Sequence, residues 1–157
     1  MLDLPSAATQ RRLINARAET IAEKPVFRKS FETHRCLVLA DGFFEWQKVP
    51  GGKVPYRLTL KDNRPFAFAG IWRQTPDESP PGFAIVTTSP NSLVAAIHDR
   101  MPVILEPGSE RTWLGATPTA ALELLQPYPA ELMQAYPVSK LVNSPANDRS
   151  EILKPAA

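Results

Sequence analysis

Residues 35–46 read RCLVLADGFFEW, two apolar runs on either side of an Asp-Gly pair. Val, Leu, Phe and Trp favour strands, and Asp-Gly is a strong turn signal. The stretch therefore predicts a strand over 35–40, a turn at Asp41-Gly42 and a second strand over 43–48. A strand–turn–strand unit here places the chain in a β-rich class before any other segment is considered.

Further strands are predicted on the carboxyl side of this unit. Pro50-Gly51-Gly52 is a turn signal, and the next apolar runs are separated by turn residues. These runs are YRLTL at 56–60, FAFAGIW at 66–72, FAIVTT at 83–88 and a short strand at 103–105. Strands in close succession predict an α+β or mostly-β domain, a curved and mostly antiparallel β-sheet or barrel with short peripheral helices.

The predicted helices are short and peripheral. Residues 14–24 are interpreted as a short helix or turn that Pro25 stops. Three more are predicted at 92–97, 109–114 and 118–126, with Asn91 or Ser92, Ser109, and Thr117 or Thr119 as caps. Residues 131–136 fit either a helix or a strand. We expect a loose leader over 1–12, one domain over 13–147 and a polar tail over 148–157.

Composition excludes several classes of protein. The 157 residues are 43% hydrophobic and 22% charged, which suits one globular domain. No apolar run reaches about 18 residues and the first residues lack a signal-peptide pattern, so we expect no membrane contact. A single cysteine, Cys36, fits a reducing cytoplasm. One cysteine and two histidines do not make a zinc site without carboxylates, so no metal and no cofactor are expected.

Charge is uneven along the chain. Residues 1–60 hold 10 Lys or Arg and 6 Asp or Glu, and residues 61–157 hold 8 and 10, which gives +4 and −2. A basic first part is compatible with a phosphate-binding face. An excess of four charges is also common on protein surfaces, so both interpretations stay open.

Two titratable residues stand in apolar surroundings. Glu45 lies between large aromatic residues on a predicted strand, where burial would raise its pKa and make it a general acid or base. The alternative is that strand alternation turns it to solvent. His98 follows an apolar helix and precedes Asp99-Arg100-Met101-Pro102. It is a candidate for binding a phosphate or an acid together with Arg100, or simply a helix cap. His34 is interpreted as an exposed residue at a strand edge.

A polar segment precedes the first predicted strand. Asn15, Arg17, Glu19 and Thr20 could order a loop or present an amide and a guanidinium to a ligand. Arginine suits phosphate because its fork is bidentate. Cys36, within a run of apolar residues, is interpreted as a small buried thiol. The large aromatic residues are assigned to the core.

Taken together and in order, these segments resemble the SOS-response-associated peptidase (SRAP) family. Six blocks carry the resemblance: NARAET at 15–20, RCL through DGFFEW at 35–46, FAGIW at 68–72, IVTT at 85–88, HDRMP at 98–102, and YPVS at 136–139 with Val142-Asn143. Their order and spacing agree with the family from residue 13 to about residue 143.

The resemblance implies a fold, a substrate and a reaction. The family processes abasic sites in single-stranded DNA through attack on the open-chain aldehyde, which yields a thiazolidine DNA–protein crosslink, with associated lyase and self-cleaving peptidase activity. By the motif matches, Glu45 would shuttle protons, His98 would assist ring opening and reversal, and Asn15 would hold the sugar or the reacting terminus. Arg17 and Arg100 would clamp phosphates, with Thr87 beside them. The implied partner is single-stranded DNA, bound by a cytoplasmic monomer at the nucleoid.

One departure from the family bears on catalysis. Members begin Met-Cys-Gly-Arg, whose cysteine supplies both the α-amine and the thiol of the thiazolidine, whereas this chain begins Met1-Leu2-Asp3-Leu4. We therefore expect no crosslinking by the chain as written, and an apolar surface and an unpaired sheet edge where further strands would pack. The alternatives to an abasic-site enzyme are a catalytically inactive single-stranded DNA-binding module and a decayed fragment.

Overall fold

A computed structural model describes residues 13–73 and 82–156. The predicted leader over 1–12 lies outside the described residues. The α+β class is confirmed, since the described part contains eight strands and four short α-helices. The strands are β1 Asn15–Arg17, β2 Arg35–Ala40, β3 Phe43–Val49, β4 Gly52–Leu60, β5 Phe66–Arg73, β6 Gly82–Thr88, β7 Met101–Pro102 and β8 Met133–Pro137. The helices are α1 Pro25–Thr33, α2 Ser92–Ala95, α3 Glu110–Gly115 and α4 Pro118–Glu123.

The strands form two open sheets, and the Asp41-Gly42 turn carries the chain from one to the other. The five-stranded sheet has the order β1-β6-β5-β2, with β7 also paired to β6, and the three-stranded sheet has the order β3-β4-β8. The predicted antiparallel character is confirmed, because β1 and β6 form the one parallel pair among the described strands. A Cβ at residue 42 would lie 2.9 Å from the Leu58 carbonyl oxygen, so this corner requires glycine.

Residues 14–24 differ in part from the prediction. A short helix or turn was predicted; the structure has a 3₁₀ turn at Ala18–Thr20, in agreement with the second alternative, and a strand, β1, that was not predicted. The Ile85 N–H donates to the Ile14 carbonyl, so pairing with β6 decides the conformation of this segment. Pro25 was predicted to stop a helix and instead starts α1, because proline suits the first helical position, where its N–H would have no helical partner.

The remaining elements largely follow the sequence. Asn91 caps α2 by accepting from the Val94 N–H at 2.9 Å, and Thr117 caps α4. Ser109 precedes α3 as predicted but donates to the Glu106 carbonyl instead of capping through its side chain. The strand expected at 103–105 lies slightly earlier, at β7, with Ile104 in a single bridge to Phe68.

The segment that fitted either a helix or a strand contains both. A 3₁₀ turn at Ala130–Leu132 leads into β8, which completes the three-stranded sheet by pairing with β4. The polar tail is tied back to this sheet. Val138 bridges to Pro155, and the Tyr136 hydroxyl donates to the Leu153 carbonyl.

Two apolar clusters pack on opposite faces of the five-stranded sheet. One lies under the helices and includes the fully buried Phe31 and Trp113. The other fills the space between the two sheets and includes Leu58, Phe68 and Met101. The two sheets are therefore held by a shared interior, at whose rim the pocket described below opens.

The expected apolar surface and sheet edge are present. Strand β2 ends the five-stranded sheet, and its Leu39 is 78% exposed. Phe83 on β6 is 55% exposed and Ile14 is 66% exposed. Within the described ranges, no helix is long and apolar enough to cross a membrane.

Arg35 joins the carboxyl ends of two helices. Its guanidinium donates to the Phe31 carbonyl of α1 at 2.7 Å, and to the carbonyls of Trp113 and Ala116 at the end of α3. The same group lies 5.7 Å from the ring centroids of both Phe31 and Trp113. A cation is favoured at a helix carboxyl end, where carbonyl groups lack helical partners. Arg35 therefore fixes α1 and α3 against β2.

We predict that Arg35→Lys lowers the free energy of unfolding by about 2 kcal/mol, because an ammonium group cannot bridge carbonyls of both helices and leaves some without a donor. Urea denaturation measures the change. The matched control is Arg28→Lys, an exposed residue whose ion pair with Glu32 spans 3.9 Å, and which should change stability by less than about 0.5 kcal/mol. Equal effects in the two variants would contradict the proposed bridge.

Candidate active site

A cavity of about 390 Å³ opens between the two sheets and collects all six predicted site residues. Its lining includes Asn15, Arg17, Glu45, Thr87, His98 and Arg100, together with Phe43, Phe44, Phe68, Ile85, Met101 and Pro102. These residues come from β1, β3, β5, β6, the segment after α2, and β7. The six residues that the motif resemblance nominated therefore line one cavity, although they come from separate segments of the chain.

Asn15 and Arg17 reach the cavity because β1 alternates. Ala16 between them is fully buried, whereas Asn15 and Arg17 are exposed. The parallel register places Asn15 beside Ile85 and Arg17 beside Thr87. In a strand, residues two apart share a face, so the amide and the guanidinium point to the same side of the sheet.

Glu45 is the carboxylate of the cavity. It lies on β3 opposite Tyr56, and its side chain is 23% exposed. Burial raises the pKa of Glu45, and the charge of a protonated His98 opposes this rise. The alternative that strand alternation turns Glu45 to solvent is therefore wrong. A half-buried carboxyl whose pKa is raised is a candidate for general acid–base catalysis.

His98 faces Glu45 from just beyond α2. Its backbone N–H donates to the Val94 carbonyl at 2.8 Å, which closes the end of that helix as predicted. Its Nε2 lies 3.9 Å from Oε2 of Glu45. The Arg100 backbone N–H donates to Nδ1 of His98 at 3.1 Å. In the tautomer in which Nδ1 accepts this bond, the neutral ring carries its proton on Nε2, the nitrogen that faces Glu45.

Two oxygen atoms also lie near Nδ1 of His98. Nδ1 lies 3.2 Å from the Arg100 carbonyl oxygen and 3.3 Å from Oδ1 of Asp99. The Asp99 side chain is 90% exposed, so its attraction is screened by water. Nδ1 therefore has oxygen neighbours on residues 99 and 100, while Nε2 faces Glu45.

Arg100 is held by an acidic partner. Its Nη1 and Nη2 donate to the two carboxylate oxygens of Glu19 at 2.6 and 2.9 Å, and Nη2 also donates to the Thr87 carbonyl at 2.6 Å. Arg100 lowers the pKa of Glu19 through this bond. Nε of Arg100 is buried without a hydrogen-bond partner in the described ranges. The phosphate-clamping role stays a prediction for Arg100, whose guanidinium is already paired within the protein.

Three side-chain contacts of the segments around the cavity were not predicted from the sequence. Glu19 was recognised as part of a polar segment but not as the partner of Arg100. Gln47 donates from Nε2 to the Ala96 carbonyl at 2.8 Å, which ties β3 to the end of α2. Trp46 donates from Nε1 to Oδ1 of Asn143 at 2.8 Å. Gln47 could have been noticed, since it shares a strand face with Glu45, but its partner is 49 residues away.

Cys36 and His34 lie outside the cavity lining. Burial raises the pKa of the Cys36 thiol, in agreement with a structural role. A Cβ at residue 70 would lie 2.9 Å from the Cys36 sulfur, so the thiol packs against the Gly70 backbone. His34 ends α1, accepts or donates to the Thr33 hydroxyl at 2.6 Å and meets Trp72 edge-on. In the described part of the chain, no group of three His, Cys, Asp or Glu could hold a metal ion.

The fold and the cavity define a class of α+β protein with a carboxyl group and an imidazole facing each other between two sheets. A family model described as SOS response associated peptidase (SRAP) matches residues 4–145. The chain therefore belongs to the SRAP family, and the resemblance found in the motifs is confirmed.

Relatives and solved structures agree with this assignment. The chain is 47% identical over 150 residues to the abasic site processing protein YoqW of Bacillus subtilis (strain 168), covering 91% of this chain and 67% of that protein. It is 33% identical to the abasic site processing protein YedK of Escherichia coli (strain K12), with the same coverage. A crystal structure of a Bacteroides thetaiotaomicron protein superposes with a TM-score of 0.82 at 36% identity, covering 91% of this chain and 66% of that one. The chain thus spans about two thirds of the length of these proteins.

We predict that Glu45→Gln raises the free energy of unfolding at neutral pH. Because the pKa of Glu45 is raised in the folded chain, the folded state holds the proton more tightly than the unfolded state. Stability therefore falls as pH rises from about 4.5 through the folded pKa, and glutamine removes this fall. Each tenfold change in proton affinity corresponds to about 1.4 kcal/mol.

Urea denaturation at a series of pH values from about 4 to 8 tests the prediction. Glu131→Gln, which removes an exposed carboxylate from a 3₁₀ turn, serves as the control and should leave the pH profile unchanged. A Glu45→Gln variant that is less stable than the parent at neutral pH would contradict the assigned cause of the pKa shift.

Proposed function

We propose that this chain processes abasic sites in single-stranded DNA as part of the response to DNA damage. The observation that carries the proposal is the Glu45–His98 pair, 3.9 Å apart in a cavity that also holds Asn15 and Arg17. The relatives named above, which are called abasic site processing proteins, support the same substrate.

The acid–base pair suits the chemistry of an abasic sugar. The sugar is mostly a closed hemiacetal, and opening it requires one proton to leave the C1′ hydroxyl and another to reach the ring oxygen. We propose that Nε2–H of His98 supplies the proton to the ring oxygen and that Glu45 moves protons between the sugar and the attacking amine. The exposed amide of Asn15 at the rim would hold the sugar or the reacting terminus.

The family's crosslink forms in two additions to the open aldehyde. The α-amine of an amino-terminal cysteine attacks C1′ and loses water to form an imine, and the thiol then adds to the same carbon to close a thiazolidine. Cys36, the one cysteine in the sequence, is preceded by a peptide bond and has no free α-amine. Its thiol is also outside the cavity lining and has a raised pKa. We therefore propose that crosslinking needs a cysteine-bearing amino terminus other than Met1-Leu2.

We predict that a family amino-terminal segment beginning Met-Cys-Gly-Arg, joined ahead of this chain, gives a heat-stable band with an abasic oligonucleotide on a denaturing gel. Glu45→Gln and His98→Ala should each slow its appearance by roughly 10²-fold, the lower end of general acid–base contributions, while His34→Ala should not. A crosslink formed by the printed chain alone would reveal another nucleophile. Full activity in Glu45→Gln would contradict the assigned mechanism.

A non-catalytic function in binding single-stranded DNA is the second candidate. The observation that favours it is Arg17, an exposed guanidinium at the cavity rim. Among the residues that the structure describes, no carboxylate forms an ion pair with it. A guanidinium in this position can pair with a phosphate of the bound strand.

We predict that Arg17→Ala weakens binding of single-stranded DNA and reduces the slope of log affinity against log salt by about 0.7, the value for one phosphate contact. Fluorescence anisotropy over a range of salt concentrations measures both. Arg28→Ala removes another exposed arginine, on α1 and outside the cavity lining, and should change neither. An unchanged salt slope in Arg17→Ala would contradict the phosphate contact.

A further inference from the structure

Glu19 is not one of the six predicted site residues, yet both of its carboxylate oxygens accept hydrogen bonds from one of them, Arg100. The two bonds to Arg100 are 2.6 and 2.9 Å long. The Arg100 side chain is 22% exposed and that of Glu19 is 51% exposed. A bidentate carboxylate–guanidinium pair fixes orientation as well as distance.

The ion pair is linked to His98, the proposed catalytic histidine, through the backbone of Arg100. Besides Glu19, the described partners of the Arg100 guanidinium are the carbonyl and hydroxyl of Thr87, at 2.6 and 3.4 Å. Arg100 also donates its backbone N–H to Nδ1 of His98. Residues 98–100 lie between the end of α2 and the start of β7, outside any helix or strand. The side-chain anchor of Arg100 therefore holds the peptide that orients the His98 ring.

We propose that Glu19 is a positioning residue for His98, acting through Arg100 to keep the imidazole in the Nε2–H tautomer that faces Glu45. This inference rests on the proposed function and adds a role within the same site. Glu19 belongs to the 3₁₀ turn that follows β1. The segment that supplies Asn15 and Arg17 thus also determines which ring nitrogen of His98 carries the proton.

Stability alone does not account for this pair. An ion pair between partly exposed side chains contributes little to folding. Without Glu19, Arg100 loses both carboxylate bonds, and Thr87 remains as the one described partner of its guanidinium. The peptide between residues 98 and 100 is then held less firmly, and the tautomer in which Nδ1 of His98 donates to Oδ1 of Asp99, 3.3 Å away, becomes accessible.

The test is the tautomer of His98, read from the ¹⁵N chemical shifts of its imidazole in Glu19→Gln. The chain has two histidines, so His34 is a reference within the same sample. We expect the Nε2–H form to dominate at His98 in the parent and to be lost as the dominant neutral form in Glu19→Gln, with His34 unchanged. Glu23→Gln removes a nearby exposed carboxylate and should leave both histidines unchanged. The parent pattern at His98 in Glu19→Gln would overturn the proposal.

A second variant keeps the proposal testable if Glu19→Gln folds poorly. Arg100→Lys retains the backbone N–H and the positive charge but cannot make two parallel bonds to a carboxylate. The same loss of the Nε2–H form supports the proposal, and an unchanged tautomer overturns it. Both readouts use the chain without DNA, so they hold whatever reaction the site performs.

The kinetic counterpart uses the chain with the cysteine-bearing amino terminus. We expect Glu19→Gln to slow crosslinking by about tenfold at saturating DNA, a part of the full general acid–base contribution, with DNA affinity unchanged. A parent that forms no crosslink would count against the proposed function and leave the tautomer result standing. A normal rate in Glu19→Gln would overturn the positioning role.

Discussion

The parallel pairing of β1 with β6 is the constraint on which the candidate site depends. Strand β1 has three residues and is held by its pairing with residues 85–87 and by the burial of Ala16. Because the strand alternates, burial of Ala16 turns Asn15 and Arg17 to the cavity. The 3₁₀ turn that follows brings Glu19 to Arg100. A helix over the same residues would distribute these side chains around an axis, and the cavity would lose one wall.

Opposite this wall, the second sheet places a carboxyl group where its charge is poorly solvated. The raised pKa of Glu45 shows that the folded chain gives up some stability to hold an ionisable group beside His98. Two arginines supply hydrogen bonds that join separate elements of the fold. Arg35 satisfies carbonyls at the ends of two helices, and Arg100 joins the turn after β1 to β6. Both act as bidentate donors, which lysine cannot imitate.

The length of the relatives gives the exposed apolar surface its context. The chain covers about two thirds of YoqW, and Leu39 and Phe83 are exposed on the five-stranded sheet. Apolar side chains of this size on an open sheet are typical of a surface that packs against other protein. Glu45, His98 and the backbone N–H that contacts the His98 ring, by contrast, all belong to the described residues.

The sequence by itself determined the α+β class and most of the strands, because strand propensity and turn residues are local properties, and its motifs nominated six residues that line one cavity. It did not predict β1, which forms by pairing with β6, and it took Pro25 as the end of a helix where the structure begins one. It also left Glu19 and Gln47 without roles, since their partners lie 81 and 49 residues away. Only the tertiary structure decided which polar side chains meet, because contact between distant segments depends on sheet order and register.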